Sequence, residues 1–384
     1  MAWVGMLVTL VAVGCARLAF GVVLPEMKRD LGLTYTQAGS LGTLTALGYL
    51  LLLLPAGMLA RRWSNRGSVL VGLTLIMAAF LSLWQVRAFG PIQVLMALLG
   101  VGTAFVFTPL IALLTGWFPQ RRGTVIGMAT SGVGLGVLLS GVLVPRLALA
   151  HGPASWRLVW AIFAALSALS VLLTLTVLRD PPARKADLQG ASSGSWDVYR
   201  HAGVLRVGVG YGLGGFAFSI QTLFMLSYML SEGVAAGVAG SLVALNGLLS
   251  VGSGVGWGWL SDRLGRGPAM MLAASLGLLA TLLPTLWPSL ASFTVYWVVI
   301  GLTISGLFTL FQAAGTEQVS RADVPMALSA ITVFYALGQL IGPALAGRVI
   351  DSAGGFQLTF LLTAAALLLA VGLTVSIHRS TRRS

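Results

Sequence analysis

The sequence predicts an all-α membrane protein in which twelve transmembrane helices form two parallel repeats of six. Three observations lead to this fold class. Hydrophobic residues make up 57% of the 384 positions and charged residues only 9%, whereas soluble domains carry roughly a quarter charged residues. Apolar segments of about 20 residues, the length that crosses the hydrocarbon layer as a helix, recur along the chain. Short motifs reappear about half a chain length apart, which indicates an internal repeat.

The apolar segments place the predicted spans. They cover residues 3–24, 38–60, 67–86, 91–116, 124–146 and 156–178 in the first half, and 203–230, 236–260, 267–287, 290–315, 325–350 and 355–377 in the second. Between the halves lies a polar run rich in proline, glycine and serine, which is typical of a flexible linker. We therefore predict an N-terminal six-helix bundle at residues 1–178, a cytoplasmic linker at 179–202, and a C-terminal bundle with a short tail at 203–384.

The basic residues indicate how the chain is oriented in the membrane. The net charge is +13 and the pI is about 11.2. Sixteen of the 23 lysines and arginines lie in loops and helix ends on the side of both termini, and six lie on the opposite side. This bias predicts a multi-pass protein of a bacterial-type inner membrane with both termini in the cytoplasm. The charge then favours anionic lipid headgroups, and not nucleic acid, as a partner.

Several function classes find no support in the sequence. The single cysteine, Cys15, excludes an intramolecular disulfide and any cysteine-rich metal site. No metal-ligand cluster, activated nucleophile or paired acid is apparent, and no extramembrane stretch exceeds the predicted linker. We therefore predict neither an enzyme nor a cofactor or metal site. A non-transporting membrane sensor stays an alternative, although the linker and the 7-residue tail leave little room for an output domain.

The internal repeat is carried by two pairs of segments. Residues 57–63 read GMLARRW and residues 258–264 read GWLSDRL, an offset of 201. The end of the fifth span, residues 141–146, matches the end of the eleventh, residues 343–348, at an offset of 202. Two halves of six helices with the same inside-out sense are related by an axis along the membrane normal. This symmetry predicts a cavity between the halves.

These segments resemble the major facilitator superfamily, whose signature between helices two and three reads Gly-x-Leu-x-Asp-Arg-x-Gly-Arg and recurs between helices eight and nine. The second copy fits here from Gly258 to Arg266, whereas the first copy has Arg61 where the acid is expected. The resemblance implies that these loops close a cytoplasmic gate through charge and helix-dipole contacts. The gating residues that it implies are Gly57, Arg61, Arg62, Arg121, Arg122, Gly258, Asp262, Arg263, Gly265, Arg266 and Glu317.

Finer resemblances lie within this superfamily. Residues 117–123 (WFPQRRG), with the glycines that follow, look like the start of helix five in the monocarboxylate and oxalate/formate carriers. Residues 16–20 (ARLAF), 24–27 (LPEM) and 338–343 (GQLIGP) look like the bacterial YbfB/YjiJ-type carriers. The glycine run at 132–136 lies inside an apolar span and predicts close helix packing, since a nucleotide-binding loop needs a preceding strand and an aqueous turn.

Arg17 is the one basic residue that lies deep within a predicted span and not near its end. It lies eight positions before Pro25, hence about 12 Å inside the predicted outer end of the first helix. An arginine at such depth costs about 2.5 to 3.5 kcal/mol and usually faces a cavity or a partner. No acid is predicted near the middle of a span, and the acids of the outer side are Glu26, Asp30, Glu232 and Asp351. A substrate anion is therefore one candidate partner; the alternative is that Arg17 snorkels outward or bonds helix-end carbonyls.

Other polar side chains lie at matching depth on helices that face the cavity in this fold. With Arg17 they complete the predicted substrate-binding set: Tyr49, Thr108, Tyr211, Gln221, Asn246, Gln312, Tyr335 and Gln339. Each alone is also explained by a hydrogen bond between helices. Gln221 and Asn246 are favoured, because an unpaired amide in hydrocarbon is costly. Phe105, Phe107, Phe216, Phe224 and Phe308 are candidates to line the route.

The prediction for function is a monomeric secondary or facilitative carrier that moves a small, monocarboxylate-like organic anion by alternating access. Because no buried carboxylate is predicted, coupling is expected from a protonated acid, anion exchange or facilitated diffusion. The histidines lie in loops or the tail. The alternative within transport is efflux of hydrophobic or drug-like compounds, although a buried arginine would repel cations.

Overall fold

The computed structural model describes residues 1–181, 196–320, 323–352 and 354–381, and the chain is helical over most of this length. The first helix, α1, consists of Ala2–Thr9, a π-helical segment Leu10–Leu18 and an outer piece Phe20–Leu31. The other helices are α2 (Tyr35–Arg62), α3 (Asn65–Gln85), α4 (Phe89–Trp117), α5 (Arg122–His151), α6 (Trp156–Thr176), α7 (Ala202–Ser231), α8 (Ala236–Leu264), α9 (Arg266–Leu286), α10 (Leu290–Thr316), α11 (Val324–Asp351) and α12 (Gly355–Thr381). Within the predicted linker, residues 196–200 form a short 3-10 turn, and residues 182–195 lie outside the described part.

The twelve predicted helices are confirmed in type and order. Ten of them are individually long and apolar enough to cross a membrane, and α1 adds one more as a span bent by 44°. The remaining helix, α2, is 28 residues long and packs along α4 and α11. The chain is therefore a multi-pass membrane protein.

The predicted end of the first helix was wrong. The helix continues past Pro25 to Leu31, and Gly32 ends it with a φ of +64°, the left-handed conformation that glycine adopts most easily. A proline in the sequence predicts a break in a helix. In this helix the bend lies six residues earlier, at Ala19, where the π-helical segment ends. Seven residues beyond the predicted end, from Pro25 to Leu31, therefore belong to the helix.

The packing of the helices repeats with a period of six. In the first half α2 packs on α4, α3 packs on α4 and α6, and α1 packs on α5. In the second half α8 packs on α10, α9 packs on α10 and α12, and α7 packs on α11. Each pair has its counterpart six helices later, which confirms the predicted parallel repeat. The halves meet along α2 and α11, along α5 and α8, and where the outer piece of α1 touches α7.

The contacts between the halves lie toward one face of the membrane. We call the face with the start of α1 and the end of α12 the terminal face, and the opposite face the far face. Toward the far face, a Cβ added to Gly141 of α5 would lie 2.6 Å from the Ala244 backbone nitrogen of α8. Toward the terminal face, Gly127 of α5 and Gly256 of α8 have no such neighbour within 4 Å. The structure is thus closed at the far face and open toward the terminal face.

Candidate functional site

A π-helical segment places Arg17 in the centre of the protein. The segment ends with a hydrogen bond of 2.9 Å from the Ala19 nitrogen to the Gly14 oxygen, five residues back. Gly14 lies against Gly136 of α5, and a Cβ at Gly14 would come within 2.7 Å of the Gly136 Cα. Such π-helical turns are rare and occur often at functional sites. Arg17 lies in the last turn, just before the 44° bend.

Arg17 bonds to the other half of the protein. Its Nη2 donates to the Oε1 of Gln339 in α11 at 2.8 Å. Its guanidinium carbon lies 4.3 Å from the centre of the Tyr49 ring in α2, a cation–π contact. Gln339 in turn donates from Nε2 to the Tyr335 hydroxyl at 3.1 Å. The side chain neither snorkels outward nor bonds a helix-end carbonyl in these contacts.

An aromatic cluster extends this network into the second half. The Tyr335 ring stacks on Tyr211 of α7 with a centroid distance of 4.5 Å. The Tyr211 hydroxyl accepts a hydrogen bond of 3.1 Å from the Nε2 of Gln312 in α10. Phe308 meets both tyrosines edge to face, at 6.0 and 5.1 Å, and Phe218 packs against Phe308 at 5.1 Å. The rings and amides thus form one connected cluster with Arg17.

The cluster is rich in hydrogen-bond donors. Tyr335 and Tyr211 each accept an amide N–H, which leaves each phenolic O–H able to donate. The guanidinium of Arg17 has five N–H donors, and one of them is used by Gln339. Among the described residues no carboxylate lies within salt-bridge distance of Arg17. Surplus donors around an unpaired positive charge suit an anion.

A cavity lies beside Arg17, between the cluster and the far face. It holds about 480 Å³ of space, including its opening. Arg17 and Gln339 supply polar atoms, while Phe20 and Phe218 contribute apolar walls. Toward the far face it ends at a tight contact, because a Cβ on Gly21 would lie 1.9 Å from the Thr222 carbonyl oxygen. The cavity therefore adjoins the layer that separates it from the far face.

The structure brings together Arg17 and five of the eight other predicted binding residues, namely Tyr49, Tyr211, Gln312, Tyr335 and Gln339. The other three do not take part in these contacts. Gln221 is buried and donates from Nε2 to the Thr281 hydroxyl of α9 at 2.7 Å. Asn246 donates to the Trp297 carbonyl oxygen of α10 at 3.1 Å, and Thr108 is exposed on α4. The two amides join helices of the second half, and they do not reach Arg17 in these contacts.

The sequence did not predict the burial of Glu26. The residue is 4% exposed in the outer piece of α1, so the expectation that no buried carboxylate is available was wrong. One oxygen pairs with Arg29, and Oε2 is buried without a hydrogen-bond partner among the described residues. The signal was present, since Val23 and Met27 lie three residues before and one after it on a buried helical stripe. Ending the predicted helix at Pro25 hid that pattern.

The predicted gating residues lie at the terminal face. Arg266 pairs with Glu317 at 3.0 Å and also donates to the Ser261 hydroxyl at 3.2 Å. Arg263 lies 3.9 Å above the Trp259 ring. Arg62, Arg121, Asp262 and Gly265 are exposed, and Gly57 and Gly258 have no atom within 4 Å of an added Cβ. The side chains of Arg61 and Arg122 lie outside the described part. The contacts seen here stay within the second half.

Twelve helices in two parallel repeats, with a polar cluster where the halves meet, define a transporter of the major facilitator superfamily. Residues 9–375 match the family described as uncharacterised MFS-type transporter YbfB, and the chain belongs to this family. It is a membrane-embedded transporter of small organic molecules and not an enzyme.

Relatives and solved structures agree with this assignment. The chain is 29% identical to human monocarboxylate transporter 11 over 336 residues, which cover 81% of this chain and 68% of that one. It is 26% identical to a putative tartrate transporter of Agrobacterium vitis, over 96% of this chain and 87% of that one. A bacterial homologue of the human lysosomal transporter Spinster, inward-facing and unoccupied, matches with a TM-score of 0.79 and 17% identity over 98% and 96% of the chains. The nucleoside transporter NupG matches with a TM-score of 0.72 and 16% identity over 98% and 99%.

Proposed function

We propose that this transporter carries a small organic anion of the monocarboxylate type by alternating access, and that Arg17 binds its carboxylate. The observation that carries the proposal is the Arg17 guanidinium, which lies where the halves meet and contacts only the neutral side chains of Gln339 and Tyr49 in the bonds described. A positive charge held at this depth is costly without compensation. A carboxylate would supply that compensation in a bidentate geometry.

The proposed binding set follows from the cluster. Arg17 would hold the carboxylate, and the hydroxyls of Tyr49, Tyr211 and Tyr335 would donate further hydrogen bonds. Gln339 and Gln312 would orient two of these tyrosines through their amides. Gln221 and Asn246 are assigned instead to helix packing, because both amides are already bonded inside the second half. The names of the relatives, monocarboxylate and tartrate transporters, support an acidic substrate.

Residues 1–178 and 203–384 would be the two units that rock about this site. The structure is open toward the terminal face, and the positive-inside bias of the sequence favours the cytoplasm of a bacterial-type inner membrane for that face. We propose a monomer, since the cluster is built from one chain. The second-copy residues Asp262, Arg263 and Arg266 would approach α5 when the terminal face closes.

Efflux of hydrophobic compounds is the second candidate. The aromatic cluster of Tyr211, Tyr335, Phe308 and Phe218 favours it. Arg17 is connected to these rings through Gln339, which bonds Tyr335. Its positive charge would repel a cationic cargo bound beside them. A neutral hydrophobic cargo would bind without using the guanidinium at all. The two candidates therefore differ in their dependence on Arg17.

A matched ligand screen tests the proposal. Purified protein would be heated with lactate, pyruvate and benzoate, and separately with lactamide, pyruvamide and benzamide, because a ligand stabilises what it binds. We expect at least one acid, and not its amide, to raise the melting temperature of the wild type, to lose this effect in Arg17→Gln, and to retain part of it in Arg17→Lys. Stabilisation by neutral hydrophobic compounds that is equal in wild type and Arg17→Gln would instead support efflux. Uptake of the stabilising acid into proteoliposomes would then show transport.

A further inference from the structure

The cavity beside Arg17 is polar in different ways at its two ends. In α7, which runs from the terminal face to the far face, Tyr211 precedes the cavity residue Thr222. In α2, which runs the opposite way, Tyr49 follows the cavity residue Thr45. The phenols therefore lie on the terminal side of the cavity and the threonines on its far side. With the guanidinium of Arg17, the terminal side offers hydrogen-bond donors.

The threonine hydroxyls on the far side offer acceptors instead. The Thr222 hydroxyl donates to the Phe218 carbonyl oxygen at 2.7 Å, and the Thr45 hydroxyl donates to the Leu41 carbonyl oxygen at 3.0 Å. A hydroxyl has one hydrogen and two lone pairs. Each threonine therefore has its hydrogen in use and can still accept a hydrogen bond from a molecule in the cavity.

The rest of the cavity lining adds no donor at this end. Ser219 also donates to a backbone carbonyl, that of Phe216 at 2.9 Å, and its oxygen lies against Gly342 of α11. Among the described residues that line the cavity, only Arg17 and Gln339 have side-chain N–H groups. The far side is thus an acceptor surface in which Thr45 and Thr222 supply the hydroxyls that do not face another helix in this way.

A cargo that fits both ends carries a carboxylate and a hydrogen-bond donor on the adjoining carbon chain. The cavity, at about 480 Å³ with its opening, is at the small end of ligand sites, so a short molecule spans it. A hydroxyl of the cargo can donate to a threonine that keeps its own backbone bond. An oxo group only accepts, and it gains a bond here only if a threonine gives up the one it has.

We propose that the transporter selects hydroxy acids over oxo acids and unsubstituted acids of the same length, and that Thr45 and Thr222 make this distinction. The inference rests on the proposed anion site, because it requires the carboxylate to bind at Arg17. Thr45 belongs to the first half and Thr222 to the second, so the hydroxyl of the cargo is held between α2 and α7. One additional hydrogen bond corresponds to about three- to tenfold in affinity.

Three acids with the same carbon chain test the selection. Lactate has a hydroxyl, pyruvate has an oxo group and propionate has neither. Dissociation constants come from ligand-induced melting shifts of the purified protein over a concentration series. In the wild type, lactate should bind about three- to tenfold more tightly than pyruvate or propionate. In the double variant Thr45→Val with Thr222→Val, which keeps the side-chain shape but removes both hydroxyls, the three constants should become equal.

Two further variants separate the loss of the hydroxyls from a change in packing. Thr74 of α3 is an exposed threonine whose hydroxyl bonds the Leu70 carbonyl oxygen at 2.8 Å, so Thr74→Val is the matched control and should keep the preference for lactate. Thr45→Ser with Thr222→Ser retains both hydroxyls and should keep it as well. Thr45→Ala with Thr222→Ala removes the same hydroxyls and replaces the valine variant if that protein does not fold.

Equal affinity of the wild type for the three acids, tighter binding of pyruvate, or binding of none of them would overturn the selection. A preference for lactate that persists without the two hydroxyls would overturn the assignment of Thr45 and Thr222. Loss of acid binding in Arg17→Gln would support the anion site in each of these cases where an acid binds, so the two proposals can fail separately.

Discussion

Arg17 of α1 and Gln339 of α11 link the two halves of the transporter through a hydrogen bond of 2.8 Å. The bond joins a charged donor to a neutral acceptor, so it fixes the guanidinium in place and leaves its charge unneutralised. Gln339 also donates to Tyr335, which fixes the orientation of its amide and presents the oxygen to Arg17. This arrangement holds a positive charge ready between the halves, and it makes position 339 the most direct test of the anion site.

Replacing Gln339 with glutamate is expected to place a carboxylate of the protein itself in the anion site. The new carboxylate would pair with Arg17 and compete with the substrate carboxylate. Charged hydrogen bonds contribute about 1.5 to 3 kcal/mol, so affinity for the stabilising acid should fall at least about tenfold. Ligand-induced melting shifts across a concentration series give the affinity. Gln339→Leu is the control, since it removes the hydrogen-bond acceptor without adding a charge. It should bind the acid more tightly than Gln339→Glu does. Equal affinity of the wild type and Gln339→Glu for the acid would contradict the proposed site.

Tyr49 is expected to act through both its ring and its hydroxyl. The ring lies 4.3 Å from the Arg17 guanidinium carbon, and a cation–π contact contributes about 0.5 to 2 kcal/mol. Tyr49→Phe keeps this contact and should lower anion affinity only by the loss of one donor. Tyr49→Leu loses both and should lower affinity further and reduce thermal stability. The melting temperatures and dissociation constants of the two variants give the comparison, and identical values for both would show that the ring does not support Arg17.

The helices and their order were predictable because the membrane imposes a length and an apolar composition on each span. Depth could also be counted along the chain, which placed Arg17, Tyr335 and Gln339 at one level. The depth of a residue does not determine the direction in which its side chain points around the helix axis. Gln221 and Asn246 lie at suitable levels but face Thr281 and Trp297 inside their own half.

The π-helical segment and the burial of Glu26 could not be predicted from the sequence, for a different reason. Hydropathy does not distinguish a π-helix from an α-helix, and the close approach of Gly14 to Gly136 depends on two distant segments. Pro25 usually marks a helix end, yet here the helix continues to Leu31. The neighbours that bury Glu26 became visible only when the outer piece of α1 was placed against the rest of the bundle.

Asp351 is expected to stabilise the closed far face. Its carboxylate, at the end of α11, accepts hydrogen bonds from the Tyr35 and Thr36 backbone nitrogens at the start of α2, at 3.0 and 2.6 Å. An acid at a helix N-terminus contributes about 1 to 2 kcal/mol. Asp351→Ala should therefore raise, by about 5- to 30-fold, the rate at which a membrane-impermeant maleimide added from the far face labels Thr43→Cys in a Cys15→Ala background. Thr43 reports on the contact between the halves because its hydroxyl bonds the Leu340 carbonyl oxygen of α11 at 3.0 Å. Glu232→Ala, which removes an exposed acid at the same face, should leave labelling unchanged, and a similar rise in both variants would exclude a specific role for Asp351.

The buried amides of the second half are expected to affect stability and not substrate binding. Asn246 bonds the Trp297 carbonyl oxygen, so Asn246→Ala would remove a buried hydrogen bond between α8 and α10 at a cost of about 0.5 to 1.5 kcal/mol. The melting temperature should fall, while the dissociation constant for the stabilising acid should stay near that of the wild type. Measuring both quantities on the same preparation separates the roles. A weaker affinity with an unchanged melting temperature would return Asn246 to the binding set.

Two glycines on opposite ends of the α5–α8 contact should respond differently to the same substitution. Gly141→Ala would place a Cβ 2.6 Å from the Ala244 nitrogen, and overpacking of this kind costs about 1 to 3 kcal/mol. Since the clash exists only while the far face is closed, labelling of Thr43→Cys should rise by about fivefold or more. Gly256→Ala meets no atom within 4 Å in this conformation, so it should not raise labelling. If α8 approaches α5 at the terminal face in the opposite state, Gly256→Ala should instead lower labelling, because it disfavours the state in which the far face is open. Equal increases in the two variants would show that α5 and α8 do not exchange contacts between the two faces.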